Sequence, residues 1–251
     1  YTLLRTAALA FDLSSRGRLE LTGRDRVRFL HNMCTNDIKG LTFGQGCYAA
    51  MVTRQGKMIG DFQVKCLEAS LLLEGEPDAI AAVRENMKKF IIMDDVTITD
   101  RSGQGSWIAV HGPKSREALG VAIPDLKEFH FARVDDRLIS RRDLTGAEGY
   151  EVWSPQPLKP PVPTGSFQTY ETARIENGFP RWGVDMGPDL LPMEAGLEPI
   201  AISYTKGCYI GQEVIQRVKT YSEPVRRLVS LALEGTVLPI RGEAIVAGTL
   251  E

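Results

Sequence analysis

The segment Gly46-Cys-Tyr-Ala-Ala-Met-Val52, together with its continuation at residues 58–67, decides the fold class of this chain. Both runs contain many apolar residues and have the composition of strands, and Thr53-Arg-Gln-Gly56 between them has the character of a hairpin turn. Pro77 then opens a stretch whose apolar residues recur at helical spacing. Two paired strands followed by a single helix are typical of an α+β unit.

The same alternation continues on both sides of this segment. Upstream, residues 17–22 predict a strand, and a helical pattern follows that ends at Thr35-Asn-Asp37. Downstream, strands are predicted at 71–73, 96–99, 107–110, 129–134, 138–141 and 150–153, and helices at 113–119, 167–177 and 212–219. We therefore expect ferredoxin-like α+β units rather than one doubly wound sheet.

Composition and charge exclude several classes of protein. The 251 residues are 43% hydrophobic, which is enough to bury a sizeable core without cross-links. The 30 basic and 32 acidic side chains give a formal charge of -2, so no general attraction to nucleic acid or to an anionic membrane is expected. No apolar run approaches the roughly 18 residues that a spanning helix needs.

The cysteines indicate a reducing, cytoplasm-like compartment. Cys34, Cys47, Cys66 and Cys208 lack the two-residue spacing of a zinc site, and four cysteines in a chain of this size do not suggest a disulfide framework. We expect free thiols and no metal site. Because the chain opens at Tyr1 rather than at Met, a cleaved leader stays an open alternative.

The histidines and tryptophans have no obvious catalytic partners in the sequence. The histidines lie far apart, and we expect them to be ordinary hydrogen-bonded side chains. The tryptophans are expected in the core or in pocket walls. The histidines are His31, His111 and His130, and the tryptophans are Trp107, Trp153 and Trp182.

The most unusual segment is Lys206-Gly-Cys-Tyr-Ile-Gly-Gln-Glu213. A thiol near a helix N-terminus and beside a lysine experiences positive potential, which lowers its pKa and favours the thiolate. The alternative is a tight turn in which Cys208 merely packs, and from spacing alone this alternative explains the segment better.

The same eight residues closely resemble the K-G-C-Y-x-G-Q-E signature of the YgfZ family of folate-binding proteins, which are relatives of the glycine cleavage system T protein, an aminomethyltransferase. Further matches follow in the same order along the chain, and the resemblance covers about residues 10–235. They lie at 29–37, 55–58, 90–96, 149–151, 174–178 and 193–197.

The resemblance implies a T-protein-like α+β fold, with ferredoxin-like units around a central folate pocket. Residues 1–220 would form the folate-binding region from two interleaved units, about 1–45 with 100–190 and about 46–99 with 191–220. Residues 221–251 would begin an incomplete C-terminal β-barrel module, whose strands are expected at 226–233 and 244–246.

The resemblance also implies the residues that bind folate. Glu151 would accept the paired N–H groups of the pterin, Arg174 would face the glutamate tail, and Tyr209 would line the folate site. Without the family context, Glu151 is an exposed strand carboxylate, and Arg174 is a helix-surface charge that pairs with Glu171 or Glu176.

Asp61 departs from the pattern of the transferase. The T protein has a pair of aspartates after its glycine hairpin, and one of these carboxylates assists transfer of the one-carbon unit. Here the pair position is Gly60-Asp61, so Asp61 either keeps a polar contact to the folate or is a simple strand-edge aspartate. With Lys206 and Cys208, Asp61 completes the candidate set for chemistry.

Three functions follow from these residues and stay open at this point. The first is a tetrahydrofolate-binding accessory protein that supports iron–sulfur cluster assembly or repair, with Cys208 as the functional thiol at the pocket mouth and iron–sulfur assembly proteins or client enzymes as partners. The second is an aminomethyltransferase that moves a one-carbon unit from a lipoyl carrier protein to tetrahydrofolate. The third is an adaptor that has lost folate binding.

Overall fold

The computed structural model describes residues 1–232 and residue 242. Within this part of the chain, the helices are α1 (Thr2–Thr6), α2 (Arg26–Met33), α3 (Pro77–Lys88), α4 (Ser115–Ala118), α5 (Phe167–Glu176), α6 (Glu198–Ala201) and α7 (Gln212–Tyr221). The strands are β1 (Leu9–Asp12), β2 (Gly17–Thr22), β3 (Gly46–Val52), β4 (Met58–Cys66), β5 (Leu71–Gly75), β6 (Thr97–Asp100), β7 (Ser106–His111), β8 (Phe131–Val134), β9 (Arg137–Arg141) and β10 (Gly149–Ser154).

The local predictions from sequence agree with these elements. Strands β3 and β4 form the predicted antiparallel hairpin, whose turn has Gly56 at a positive φ of 76°. Pro77 is the first residue of α3, and Gly178, with φ 71°, follows the end of α5. The strand predicted at 226–233 is not formed over residues 226–232, and the strand predicted at 244–246 lies outside the described residues.

The strands form two five-stranded sheets. The first sheet has the order β1-β7-β10-β9-β8, and the second sheet has the order β3-β4-β5-β2-β6. The strand pairing corrects part of the predicted division into units. Residues 17–22 were expected to join residues 100–190, whereas β2 pairs with β5 and β6. Of the first two strands, only β1 pairs with a strand from the later part of the chain. It lies antiparallel to β7, with Leu9 opposite His111.

Helices α2 and α3 bury the apolar face of the second sheet. The buried apolar side chains of each helix recur every three or four residues, which places them on one face of that helix. Burying each of these side chains stabilises the fold by about 1.5–3 kcal/mol before the entropy of ordering is subtracted. The fully or nearly buried members of this core include Leu19, Leu21, Phe29, Leu30, Phe62, Val64, Leu73, Ile80, Val83 and Met87.

A buried ionic triad lies between the two sheets. Arg18 on β2 and Lys65 on β4 both donate to the carboxylate of Glu74 on β5. The Arg18 guanidinium also lies 4.9 Å from the ring centroid of Trp107 and 4.6 Å from that of Trp153, both on the first sheet. Burial alone would raise the pKa of Glu74, but the charges of Arg18 and Lys65 outweigh it and the pKa is lowered. Glu74 therefore stays ionised in the interior.

Candidate functional site

A narrow cavity opens beside the hairpin of β3 and β4 and reaches helix α5. Its walls include Arg16, Tyr48, Asp61, Tyr170 and Arg174. The cavity volume is about 20 Å³, which is close to the space of a single water molecule. Trp182 lines the same cavity, Trp107 is in the core, and Trp153 lines a different cavity, so the expectation for the tryptophans is confirmed.

Asp61 lies on β4 with one satisfied and one unsatisfied oxygen. The Tyr48 hydroxyl, on the neighbouring strand β3, donates to Asp61 Oδ2, whereas Oδ1 is buried without a hydrogen-bond partner. Burial raises the pKa of Asp61 to about 6, although the Tyr48 hydrogen bond and the charge of Arg16 act in the opposite direction. A carboxyl group with this pKa can gain or lose a proton close to neutral pH.

Glu151 is a buried carboxylate with no hydrogen bond. It lies on β10 in the middle of the first sheet, is 1% exposed, and has no hydrogen-bond partner for Oε1 or Oε2 among the described residues. The nearest cation is Arg16, whose Nη1 lies 3.9 Å from Oε1, which is too far for a hydrogen bond. The alternative of an exposed strand carboxylate is therefore wrong. Two adjacent acceptor oxygens therefore lie in the interior of the protein without a hydrogen-bond donor from the described residues.

Two buried polar side chains near this site, Tyr170 and His111, were not expected from the sequence to belong to it. The Tyr170 hydroxyl on α5 is buried without a partner, and so are both ring nitrogens of His111 on β7. Burial and the nearby charge of Arg142 lower the pKa of His111 to about 3, so its imidazole is neutral. The prediction of a hydrogen-bonded side chain is wrong for His111. It is correct for His31, whose Nδ1 accepts from the backbone N–H groups of Ile38 and Lys39.

Arg174 lines the cavity, but its guanidinium is already engaged. It forms a bidentate pair with Glu171, at 2.8 and 2.7 Å, and donates from Nη1 to Asp185 at 2.6 Å and to the Phe179 carbonyl at 3.0 Å. Four of its five N–H groups are used in these contacts. The pairing with Glu171 considered from the sequence is present, although Arg174 is buried rather than on the helix surface. Arg174 ties α5 to the segment that follows it.

Lys206 is directed towards the end of helix α2 rather than towards Cys208. Its buried ammonium donates to the backbone carbonyls of His31 and Cys34, the latter at 2.6 Å. These are carbonyls of the last turn and C-cap of α2, which lack intrahelical partners and favour a positive charge. Lys206 therefore fastens the 206–213 motif to a helix near the other end of the chain.

The rest of the motif packs against the same helix and against the β3–β4 turn. The Ile210 N–H donates to the Asn32 carbonyl, and Tyr209 is buried in an apolar cluster that includes Tyr48 and Trp182, two walls of the cavity. Cys208 is exposed and is not among the residues that line the cavity. The expectation that Cys208 lies at the pocket mouth is therefore not met in this structure.

Replacing Lys206 with Met tests the structural role of this ammonium. Met retains a long apolar side chain but leaves two backbone carbonyls without their donor. We therefore expect the free energy of unfolding to fall by about 2 kcal/mol. Urea unfolding monitored by circular dichroism measures the change. Lys219→Met is the matched control, because Lys219 is half exposed and its ammonium pairs with Glu198 and lies over the Tyr204 ring at the surface, so it should shift stability by less than about 0.5 kcal/mol. Equal unfolding midpoints for the two variants would contradict this role.

Over residues 1–232, no group of three or more His, Cys, Asp or Glu side chains is placed to hold a metal ion. In the same part of the chain, no helix combines the length and the apolar character required to cross a bilayer.

Comparison with known proteins places these features among related chains. A family model described as the GCVT N-terminal domain matches residues 1–206. A chloroplastic protein of Arabidopsis thaliana, provisionally named a transferase, is 30% identical over 93% of this chain and 59% of its own length. An aminomethyltransferase of Chlorobium phaeovibrioides is 28% identical over 95% of this chain and 71% of its own length. The chain thus spans about three fifths of the Arabidopsis relative.

A solved structure supports the fold. The glycine cleavage system aminomethyltransferase T from Bartonella henselae superposes with a TM-score of 0.75 over 88% of this chain and 66% of that chain, at 19% sequence identity. At this identity the likeness concerns the fold alone, and it confirms the expected T-protein-like α+β architecture.

Proposed function

We propose that this chain, which belongs to the family of the GCVT N-terminal domain, binds a reduced folate at Asp61 and Glu151. The observation that carries this proposal is a set of buried acceptors that lack donors within residues 1–232: both oxygens of Glu151, Oδ1 of Asp61 and the hydroxyl of Tyr170. Buried polar atoms in folded proteins nearly always have partners. A cluster of orphaned acceptors is therefore typical of a site that a donor-rich ligand completes.

The donor set of a reduced pterin fits these residues. Its 2-amino group and a neighbouring ring N–H point in the same direction, and a carboxylate accepts both in a charge-assisted pair. Glu151 would take this pair, and Asp61 and Tyr170 would accept or donate at the remaining polar edge. When bound, tetrahydrofolate supplies the nitrogen atoms that carry one-carbon units.

Arg16 must move for a pterin to reach Glu151. The present cavity of about 20 Å³ has room for one water molecule and is lined by Arg16 but not by Glu151, whose Oε1 lies 3.9 Å from Arg16 Nη1. The Arg16 side chain is 17% exposed and pairs with Glu76 at 3.3 Å, so a partner already exists on the outer side. We expect the guanidinium to rotate towards Glu76 on binding, a side-chain change of the kind common at binding sites.

The signature motif favours an accessory role in iron–sulfur cluster maintenance over transfer of a one-carbon unit. The motif presents an exposed thiol, Cys208, on a segment held by Lys206 and Gly211. The aspartate pair of the transferase cannot be completed here. A Cβ at Gly60 would lie 2.8 Å from the Ala79 carbonyl and 2.9 Å from Val83 Cγ2, so residue 60 faces α3 and has no room for a carboxylate.

Glu151→Gln tests folate binding. Glutamine offers one acceptor oxygen and presents an amide N–H₂ where the ligand also donates, so we expect tetrahydrofolate affinity to fall about 100-fold. Isothermal titration calorimetry under anaerobic conditions measures the dissociation constant. We expect the variant to remain folded, because neither oxygen of Glu151 has a hydrogen bond to lose within residues 1–232.

The control for this experiment is Glu85→Gln. Glu85 is exposed on α3 and pairs only with Lys88, so its replacement should leave the affinity unchanged. If the wild-type protein released no heat with tetrahydrofolate at millimolar concentration, the adaptor function would be favoured and the folate proposal rejected.

Cys208→Ser tests the accessory role. Because Cys208 is exposed, its replacement should change the free energy of unfolding by less than about 0.5 kcal/mol, while the activity of iron–sulfur enzymes falls in cells that depend on this protein. The measurement is complementation of a deletion strain, read as the activity of a cluster-containing enzyme. Full complementation by the serine variant would reject a role for the thiol, whatever the outcome of the folate titration.

Aminomethyl transfer is the second candidate, and Asp61 is the observation that favours it. A buried carboxyl group with a pKa of about 6 and a free Oδ1 has the protonation range of a general acid or base. Formation of methylenetetrahydrofolate with an aminomethylated lipoyl carrier protein decides between the candidates. Turnover that Asp61→Asn abolishes would favour the transferase, and its absence in a protein that binds folate would favour the accessory role.

A further inference from the structure

A second and larger cavity lies between the two sheets, away from Asp61 and Glu151. Its volume is about 700 Å³, within the range of small-molecule sites. Strand β2 contributes Arg18, the turn between β8 and β9 contributes Asp136, and β10 contributes Trp153. None of the residues assigned to folate or to the thiol motif lines this cavity.

Arg18 provides an unsatisfied donor at this cavity. It is 3% exposed, and its Nη2 donates to Glu74, but its Nε is buried without a partner. The other two arginines that line the cavity are already neutralised, since Arg101 pairs with Glu20 and Arg133 with Glu68. A buried guanidinium N–H without an acceptor is unfavourable, and a carboxylate is the acceptor that matches it best.

The rest of the lining is apolar on one side and acidic at the mouth. Leu67, Leu72, Leu138 and Trp153 form the apolar wall. Asp136 lies exposed on the turn between β8 and β9, and among residues 1–232 it has no ion pair. The free groups of the cavity are therefore one buried cationic donor and one exposed carboxylate, separated by apolar surface.

We propose that this cavity binds a small zwitterion of the short-peptide class. The carboxylate of the ligand accepts from Arg18, its apolar or aromatic side chain packs on Trp153 and the leucines, and its ammonium group faces Asp136. The volume accommodates a dipeptide or tripeptide, and Arg101 and Arg133 at its wall are already paired with carboxylates. This site is independent of the proposed folate site.

The dipeptide Ala-Phe, its C-terminal amide and its N-acetyl form are the probes for this site. We expect Ala-Phe to bind with a dissociation constant below about 1 mM, and both capped forms to bind at least about 10-fold more weakly. Saturation-transfer NMR with the whole chain, together with the change in tryptophan fluorescence, measures binding. No saturation transfer at about 10 mM Ala-Phe, or equal binding of Ala-Phe and its amide, would overturn the proposal.

Asp136→Asn keeps the proposal testable without disturbing the interior. Arg18 holds Glu74 in the core, so variants of Arg18 risk unfolding, whereas Asp136 is exposed. Asp136→Asn should weaken Ala-Phe binding about 5-fold and leave tetrahydrofolate titrations and the melting temperature unchanged. The control is Asp125→Asn, at a fully exposed carboxylate outside the cavity. Unchanged Ala-Phe affinity in Asp136→Asn would reject the placement of the ammonium group.

Discussion

Asp61→Asn should become more stable relative to the wild-type protein as the pH rises from 4 to 7.5, by about 3 kcal/mol. The pKa of Asp61 is about 6 in the folded state against 3.8 for the unfolded group, so the folded state favours the protonated carboxyl. That stability is fully present below pH 3.8 and is lost as the pH rises through 6, at about 1.4 kcal/mol per pKa unit. Asparagine carries no charge at any of these pH values and keeps an oxygen that can accept from Tyr48.

Chemical unfolding at several pH values measures this difference. The two stability curves should lie parallel below about pH 4, separate between pH 4 and 6, and run parallel again above pH 6. Asp100→Asn on β6 is the contrasting control. Hydrogen bonds from Ser102 lower the pKa of Asp100, so its replacement should change relative stability in the opposite direction over the acidic range. Curves for Asp61→Asn and wild type that stay parallel throughout would show that Asp61 is not held in its protonated form.

Gly211→Ala should destabilise the fold by about 3–5 kcal/mol. Gly211 has φ 85°, which L-residues with a side chain rarely adopt, and an added Cβ would lie 2.3 Å from the Thr53 carbonyl and 2.8 Å from Val52 Cγ2. Neither contact can be relieved without moving the β3–β4 hairpin or the start of α7. The 206–213 motif should therefore separate from α2, with loss of the hydrogen bond from Ile210 to Asn32.

Gly207→Ala is the matched control within the same motif. The nearest atom to a Cβ at Gly207 is His31 Nε2, at 3.9 Å, and its backbone has no positive φ. This variant should stay within about 0.5 kcal/mol of the wild type. Urea unfolding gives both values, and limited proteolysis shows whether residues 206–213 become accessible in Gly211→Ala. Equal stability of the two alanine variants would mean that the motif is not seated on the hairpin turn.

The sequence was informative where structure depends on neighbours along the chain. The hairpin around Gly56, the start of α3 at Pro77 and the end of α5 at Gly178 were all predictable, because turns and caps are set by local backbone preferences. The pairing of β2 with β5 and β6 was not, because it depends on strand contacts between residues at least 50 positions apart.

In the candidate site, too, contacts between near neighbours in sequence could be predicted and contacts between distant segments could not. The ion pair of Arg174 with Glu171 is three residues apart on a helix and was visible from spacing. The burial of Glu151 and the lack of partners at His111 arise from how strands of the first sheet pack against α5, and no short sequence pattern signals such packing. Arg16 lies in the short connection between β1 and β2, where a charged residue is ordinarily exposed.

The hydrogen bonds from Lys206 to the end of helix α2 have a consequence for the order of folding during synthesis on the ribosome. The donor for the His31 carbonyl is synthesised 175 residues after its acceptor, and the donor for Cys34 172 residues after. During translation, the carbonyls at the end of α2 therefore lack their Lys206 donor until most of the chain has been synthesised. Closure of so long a loop is a slow step in folding, so the final docking of the motif is expected to follow, rather than guide, assembly of the two sheets.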